Sequence, residues 1–241
     1  MIVGSTWVDG PNIQFGSRDG GDAVVAGPDY RLDRLTPRPR LAWAPKPCRT
    51  PEYLLDARHE VVPYHHRPQA QDRLVSWLDE PDALSALVVR GGVGTGKTRL
   101  VNAFAGVAHL SGWTVVRAAC EGSPPAWPSP RFGSSERVLV GVAQPERWDR
   151  ATLYRMVSAL PAHFPGATVR VLVPSRFGCD AGVAEVVLDG VVDRDRAFVE
   201  AVHAFQIALE LVPRDVRVPD LSGCSTVLAV HVMALAAVLG G

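Results

Sequence analysis

The chain has no excess of charge of either sign: 25 lysines and arginines stand against 25 aspartates and glutamates in 241 residues. Without a basic surplus there is no electrostatic case for a nucleic-acid surface or an anionic membrane as partner. Cysteine is sparse, and Cys48, Cys120, Cys179 and Cys224 lie far apart with no C-x-x-C pair. That spacing offers no zinc site and reads as free thiols in a reducing compartment. Long apolar runs are also missing. The most hydrophobic stretch, Val227–Leu239, is shorter than a bilayer requires and is interrupted by His231. The N-terminus shows neither the basic flank nor the apolar core of a signal peptide. No internal repeat of roughly 30–40 residues stands out. The expectation from these absences is a soluble, cytoplasmic protein.

What is present is a globular composition, 47% hydrophobic, at a length that suits one α/β domain with extensions. Its most informative stretch runs from Ser85 to Thr98. Gly91, Gly92, Val93, Gly94, Thr95, Gly96, Lys97 and Thr98 match the phosphate-loop pattern G-x-x-x-x-G-K-[ST] in full. An apolar run over 86–89 precedes it and reads as a buried strand. Leu100, Val101, Phe104, Val107 and Ala108 follow at helical spacing. Strand, glycine loop and helix are what the chemistry needs. The glycines let backbone N–H groups turn inward, and the helix adds its free first-turn amides and positive dipole end. Lys97 supplies a charge for the β- and γ-phosphates, and Thr98 a hydroxyl for Mg²⁺.

Residues 1–54 form a glycine- and proline-rich leader, expected to be extended or partly disordered, with short strands considered at 13–15 and 23–26. A proline-rich ligand for a protein partner is an alternative use of that leader. A helix is expected over 68–79, with Pro68 suited to its first turn. The adjacent His65 and His66 lack a third ligand nearby, so they read as solvent-facing or nucleotide-lining. After the loop, strands are predicted over 113–119, 137–142, 168–174 and 183–188, and helices over 151–160, 193–211 and Val227–Leu239. Five strands alternating with helices indicate an α/β fold with a parallel sheet. Ligands sit at the carboxyl ends of such strands, near Ala143 and Pro174 here.

The order of these pieces resembles the nucleotide-binding core of STAND ATPases, relatives of the NB-ARC switch proteins within the wider AAA+-like group of P-loop NTPases. The resemblance is carried by Tyr64-His65-His66-Arg67, by Arg90 through Leu100 including Arg99, by Glu146-Arg147-Trp148, and by Val171 through Arg176. It implies a three-layer sandwich, a five-stranded sheet in the order 5-1-4-3-2, a core over 55–192 and a partial helical lid over 193–241. It further implies that Arg176 senses the γ-phosphate, and that residues around Tyr64 to Arg67 line the base. The chain departs from the family in three places. Ala143 stands where the third strand should end in a magnesium-organising Asp, with Glu146 the nearest carboxylate and Asp149 beyond it. Val227 replaces the proline of the lid turn, which leaves His231 as a packed helix residue rather than a ligand. The lid ends at Gly241 with no winged helix or repeat array, as in a fragment or a reduced paralogue acting with other subunits.

The function expected is an ATP- or GTP-binding module of a STAND-like switch, with Mg²⁺, weak or absent hydrolysis, and a protein partner or homo-oligomer as its output. Two alternatives stay open: a slow Mg²⁺-dependent ATPase using Glu146, and a scaffold with a vestigial nucleotide site.

Overall fold

The computed structural model describes residues 22–26, 29–35, 49–57, 59–120, 136–177, 183–191 and 193–240. Strands β1 (Asp22–Ala26) and β2 (Arg31–Arg34) come first, then the short helix α1 (Pro51–Leu55) and α2 (Pro68–Leu78). They lead into β3 (Leu84–Arg90), α3 (Lys97–Leu110), β4 (Thr114–Ala119) and β5 (Arg137–Val142). A 3-10 turn (Pro145–Arg147), α4 (Arg150–His163), β6 (Thr168–Ser175), β7 (Ala184–Val187), α5 (Arg194–Ala208) and α6 (Val227–Leu239) complete the order.

The sheet has seven strands, in the order β1-β2-β4-β5-β6-β3-β7. Strand count and full order therefore differ from the five expected. From β4 to β7 every pairing is parallel. Those five strands, numbered as the chain meets them from β3 onward, run 5-1-4-3-2 across the sheet. The mixed α/β architecture is compatible with a P-loop-like fold. The two added strands pair antiparallel with each other, and β2 pairs antiparallel with β4.

Part of the expected extended leader is thus sheet, for an identifiable reason. Asp33 lies opposite Arg117 in the β2–β4 register, and both are buried. Arg117 donates to Asp33 Oδ2 from Nε at 3.1 Å and from its terminal nitrogen at 2.5 Å. Leu32, fully buried, packs into the core cluster that includes Met156 and Leu160 of α4. An ion pair out of water holds only with such geometry. The strand considered at 13–15 lies outside the described residues.

Alternation along each strand divides the core into two layers. Leu87, Val89, Val115, Leu139 and Leu172 face Leu74 and Trp77 of α2 and Leu100 and Phe104 of α3. Val116, Val138, Val140, Val169 and Val171 face Met156 and Leu160 of α4 on the other side. Parallel strands covered on both faces read as continuous apolar runs, which is why they were legible in the sequence. A third cluster joins α1, α5 and α6 through Leu54, Phe198, Phe205, Val230 and Leu235. Helix α4 continues past the expected stop at 160 although Pro161 lies inside it. Phe164 N–H still donates to Leu160 O at 2.9 Å, so the helix loses one bond at Pro161 without ending there.

Candidate functional site

Strand β3 lies between β6 and the edge strand β7, and the glycine loop emerges at its carboxyl end. Gly91 N–H donates to Ser175 O of β6 at 3.2 Å, which ties the loop's first residue to the neighbouring strand. A Cβ at Gly91 would meet Thr95 Oγ1 at 2.6 Å and Leu188 O at 2.9 Å, so only glycine fits. Thr95 Oγ1 donates to Gly92 O at 3.0 Å and closes the turn. Gly94 and Gly96 have φ of 76° and 94°, the left-handed region where a side chain is strained. Gly96 is the N-cap of α3 and has no side chain to satisfy the first-turn amides. Those amides and the helix dipole form an anion-binding end at the sheet's edge.

Lys97 lies across this loop. Its Nζ donates to Gly91 O and Gly92 O, each at 2.6 Å. Burial, then the neighbouring Arg176, pushes the amine down from its ordinary value, while Glu146 pulls it back up. Lys97, Arg176 and Glu146 are therefore close enough to feel one another.

Two cavities flank the loop and share Asp56, Ala57, Gly94, Lys97 and Thr98. The larger, about 550 Å³, adds Val93, Asn102, Ala143, Glu146 and Arg176. The smaller, about 290 Å³, is walled by Leu54, Val61, Val62, Arg99, Leu228 and His231. Asp56 and Ala57 stand at the junction of the two cavities, beside the loop.

The structure brings most of the expected residues together. Gly91 to Thr98 form the cradle, and Thr98 is exposed beside both cavities. Arg176 and Glu146 line the larger cavity, Glu146 on a 3-10 turn entered through Gln144 at φ 47°. Ala143 lines the same wall, at the place expected for an acid. Asp149 is committed elsewhere: its carboxylate caps α4, accepting from Thr152 N–H at 2.8 Å and Thr152 Oγ1 at 2.6 Å. Thr98 and two carboxylate residues, Asp56 and Glu146, thus line the larger cavity, and Ala143 stands at the strand end.

Arg67 belongs beneath the loop and does not line either cavity. Its guanidinium, largely buried, donates to Thr95 O at 3.2 Å, Gly190 O at 2.8 Å and Asp189 O at 3.3 Å. Arg99 lines the smaller cavity and braces its wall, donating to Val62 O at 2.6 Å. Tyr64 is packed against the core cluster of α2 and α3, and burial raises its hydroxyl above the ordinary tyrosine range. His66 Nδ1 pairs with Gln71 Nε2 at 3.3 Å, and His65 meets His231 and Glu200. The wall of the smaller cavity is therefore built from 54–57 and 61–62, and Tyr64 to Arg67 do not line it.

These wall residues carried no motif. A local signal for α1 did exist: Thr50 followed by Pro51 is an N-cap with proline at N1, and Thr50 Oγ1 accepts from Tyr53 N–H at 3.3 Å. His231, read from sequence as a packed helix residue, lines the smaller cavity.

Helix α6 is fastened to the loop by its first turn. Thr226 caps it, accepting from Ala229 N–H at 3.2 Å, and Leu228 N–H donates to Gly94 O at 3.1 Å. A Cβ at Gly94 would stand 2.8 Å from Leu228 Cβ. Gly94→Ala is therefore expected to displace the start of α6 and to cost about 2 kcal/mol, since it adds backbone strain to the clash. Thermal unfolding should show a Tm lower by about 4–8 °C. Hydrogen exchange at the Leu228 amide should quicken, and unchanged protection there would remove the coupling.

No family model and no curated protein match this chain. Among solved structures, that of PCH-2 from C. elegans is similar at a TM-score of 0.41 and 11% identity. The match covers 80% of this chain and 59% of that one.

Proposed function

We propose that the chain is a nucleotide-binding module that holds a purine triphosphate, ATP or GTP, with Mg²⁺, and hydrolyses it slowly or not at all. The observation behind this reading is the loop itself: left-handed glycines, an uncapped helix start and Lys97 lie together at the end of a parallel strand paired on both sides. Such an array of amides, dipole and ammonium favours phosphate. Gly91 to Thr98 would hold the phosphates, Thr98 the metal, and Arg176 would touch the γ-phosphate. Arg67 and Arg99 would act through the loop and the cavity wall rather than on the nucleotide. The direct test is titration with a fluorescent ATP analogue, with and without Mg²⁺, against Lys97→Ala.

Slow hydrolysis follows from Ala143. Phosphoryl transfer depends on positioning and charge neutralisation, and this wall supplies one exposed carboxylate, Glu146, on a turn. Phosphate release is expected well below about 1 s⁻¹, the low end for kinases. Glu146→Gln should abolish what remains while leaving nucleotide affinity intact. Release that persists in this variant excludes Glu146 from the chemistry.

The wider role in this reading is that of a STAND-like switch. Leu228 links the loop to α6, so a change at the phosphates reaches the helical segment directly. Its output would be contact with a protein partner or a second copy. Residues 1–54, 55–192 and 193–241 would then act as leader, core and lid. Among the described residues no helix is long and apolar enough to cross a membrane.

A further inference from the structure

His65 and His231 stand 166 residues apart in sequence, yet the fold sets their rings nitrogen to nitrogen. His65 belongs to the segment before α2, and His231 to the second turn of α6, on the wall of the smaller cavity. Their Nε2 atoms are 3.1 Å apart. Two Zn–N bonds of about 2.0–2.1 Å at a tetrahedral angle place their nitrogens roughly 3.3 Å apart, so the pair needs little adjustment to hold one ion. The other nitrogen of His65 is engaged as that of a metal-bound histidine is: Nδ1 lies 3.0 Å from Glu200 Oε2. Glu200 is fixed in turn by Arg196 Nε at 2.7 Å. A carboxylate on the far nitrogen orients the ring and makes the near nitrogen a better donor. Without an ion, one Nε2 donates to the other. Binding moves that hydrogen to the same ring's Nδ1, and both Nε2 lone pairs then face the ion. Burial lowers both rings below the ordinary imidazole pKa, so no bound proton competes with an ion at neutral pH.

We infer that His65 and His231 form a two-histidine site for a zinc-class divalent ion, with Glu200 as positioning residue, and that the ion fastens α6 to the segment before α2. Among the described residues no group of three or more His, Cys, Asp and Glu is placed to hold a metal, so the remaining coordination positions fall to water. Arg99 disfavours positive charge on both rings, which suits the site to an ion held by imidazole nitrogen rather than by charge alone. Mg²⁺, which prefers oxygen donors, is not its ion. His231 lies three residues after Leu228, whose N–H donates to Gly94 O, so an ion here steadies the contact of α6 with the glycine loop. The site does not depend on the nucleotide-binding reading.

The test is calorimetry of the full chain with zinc chloride, in the absence of nucleotide, joined to the absorption spectrum of the Co²⁺-loaded chain. The native chain should bind zinc, and His231→Ala and His65→Gln should each weaken that binding by about tenfold or more. Glutamine at 65 can still hydrogen-bond to His231, so this variant keeps the polar contact between the two segments and removes only the imidazole donor. It also covers a His231→Ala chain that fails to fold. Zinc should raise the Tm of the native chain and leave that of His65→Gln unchanged. The Co²⁺ chain should show visible bands without a thiolate charge-transfer band, which excludes the cysteines as ligands. Glu200→Gln should weaken zinc about tenfold and keep the Co²⁺ bands, since the ligands remain while their support loses its charge. No zinc binding by the native chain, affinity unchanged in His65→Gln, or a thiolate band in the Co²⁺ spectrum overturns the site.

Discussion

Lys97→Ala should weaken triphosphate binding roughly 100-fold, about 3 kcal/mol, as measured by titration with a fluorescent ATP analogue. Two contributions lie behind that figure. In the proposed nucleotide-bound state the ammonium would give charge-assisted hydrogen bonds to β- and γ-phosphate oxygens, the stronger class of polar contact. It also holds Gly91 O and Gly92 O, each at 2.6 Å, so its loss frees the carbonyl side of the loop as well. Diphosphate should lose less than triphosphate, because one of the two phosphates that lysine serves is missing. Lys97→Arg separates charge from shape: the guanidinium keeps the positive charge but cannot follow the same compact path to two carbonyls. It should fall between the native chain and the alanine variant. Equal affinity of native and Lys97→Ala chains would remove the phosphate loop from the account.

The loop was readable in the sequence because its function depends on backbone. Glycines at 91, 94 and 96 are there because a Cβ would clash or be strained, and such demands leave a fixed spacing. The buried strands were readable because covering both faces leaves few polar positions. What escaped reading depended on pairings distant along the chain. Strand β2 joins the sheet through Asp33 meeting Arg117, 84 residues away, and nothing near Asp33 in sequence announces it. His65 meets His231 across 166 residues, so a helix residue becomes a cavity wall only when α6 folds back over the loop. Arg67 illustrates a different gap. Its closeness to the nucleotide site was visible in its place before the loop, but its direction was not. The guanidinium serves three carbonyls, and residues 54–57 and 61–62 line the smaller cavity in its stead. Arg170 is similar: buried inside an apolar strand, it donates to Trp77 O, Asp82 O and Glu80 O at the end of α2.

Loss of the Arg67 guanidinium should be the most costly single change to the fold around the site. Its terminal nitrogens join the loop, through Thr95 O, to the turn after β7, through Asp189 O and Gly190 O. Alanine here leaves three carbonyls without their donor, that of Thr95 in a buried position. Hydrogen bonds from a charged donor contribute about 1.5–3 kcal/mol each, and their sum is reduced by the desolvation that burying the guanidinium costs. A net loss of about 3 kcal/mol is expected, read as a Tm lower by roughly 6–12 °C. Lysine should not restore it, because a single ammonium cannot span three acceptors that a planar fork reaches together. The signature is the order of effects. Arg67→Ala should lower the stability of the nucleotide-free chain first, and affinity should fall because the Thr95 segment is no longer fixed. Lys97→Ala should do the reverse, with a large loss of affinity and a small change in Tm. An Arg67→Ala chain with native Tm and weakened nucleotide binding would mean that the guanidinium leaves those carbonyls and contacts the nucleotide itself.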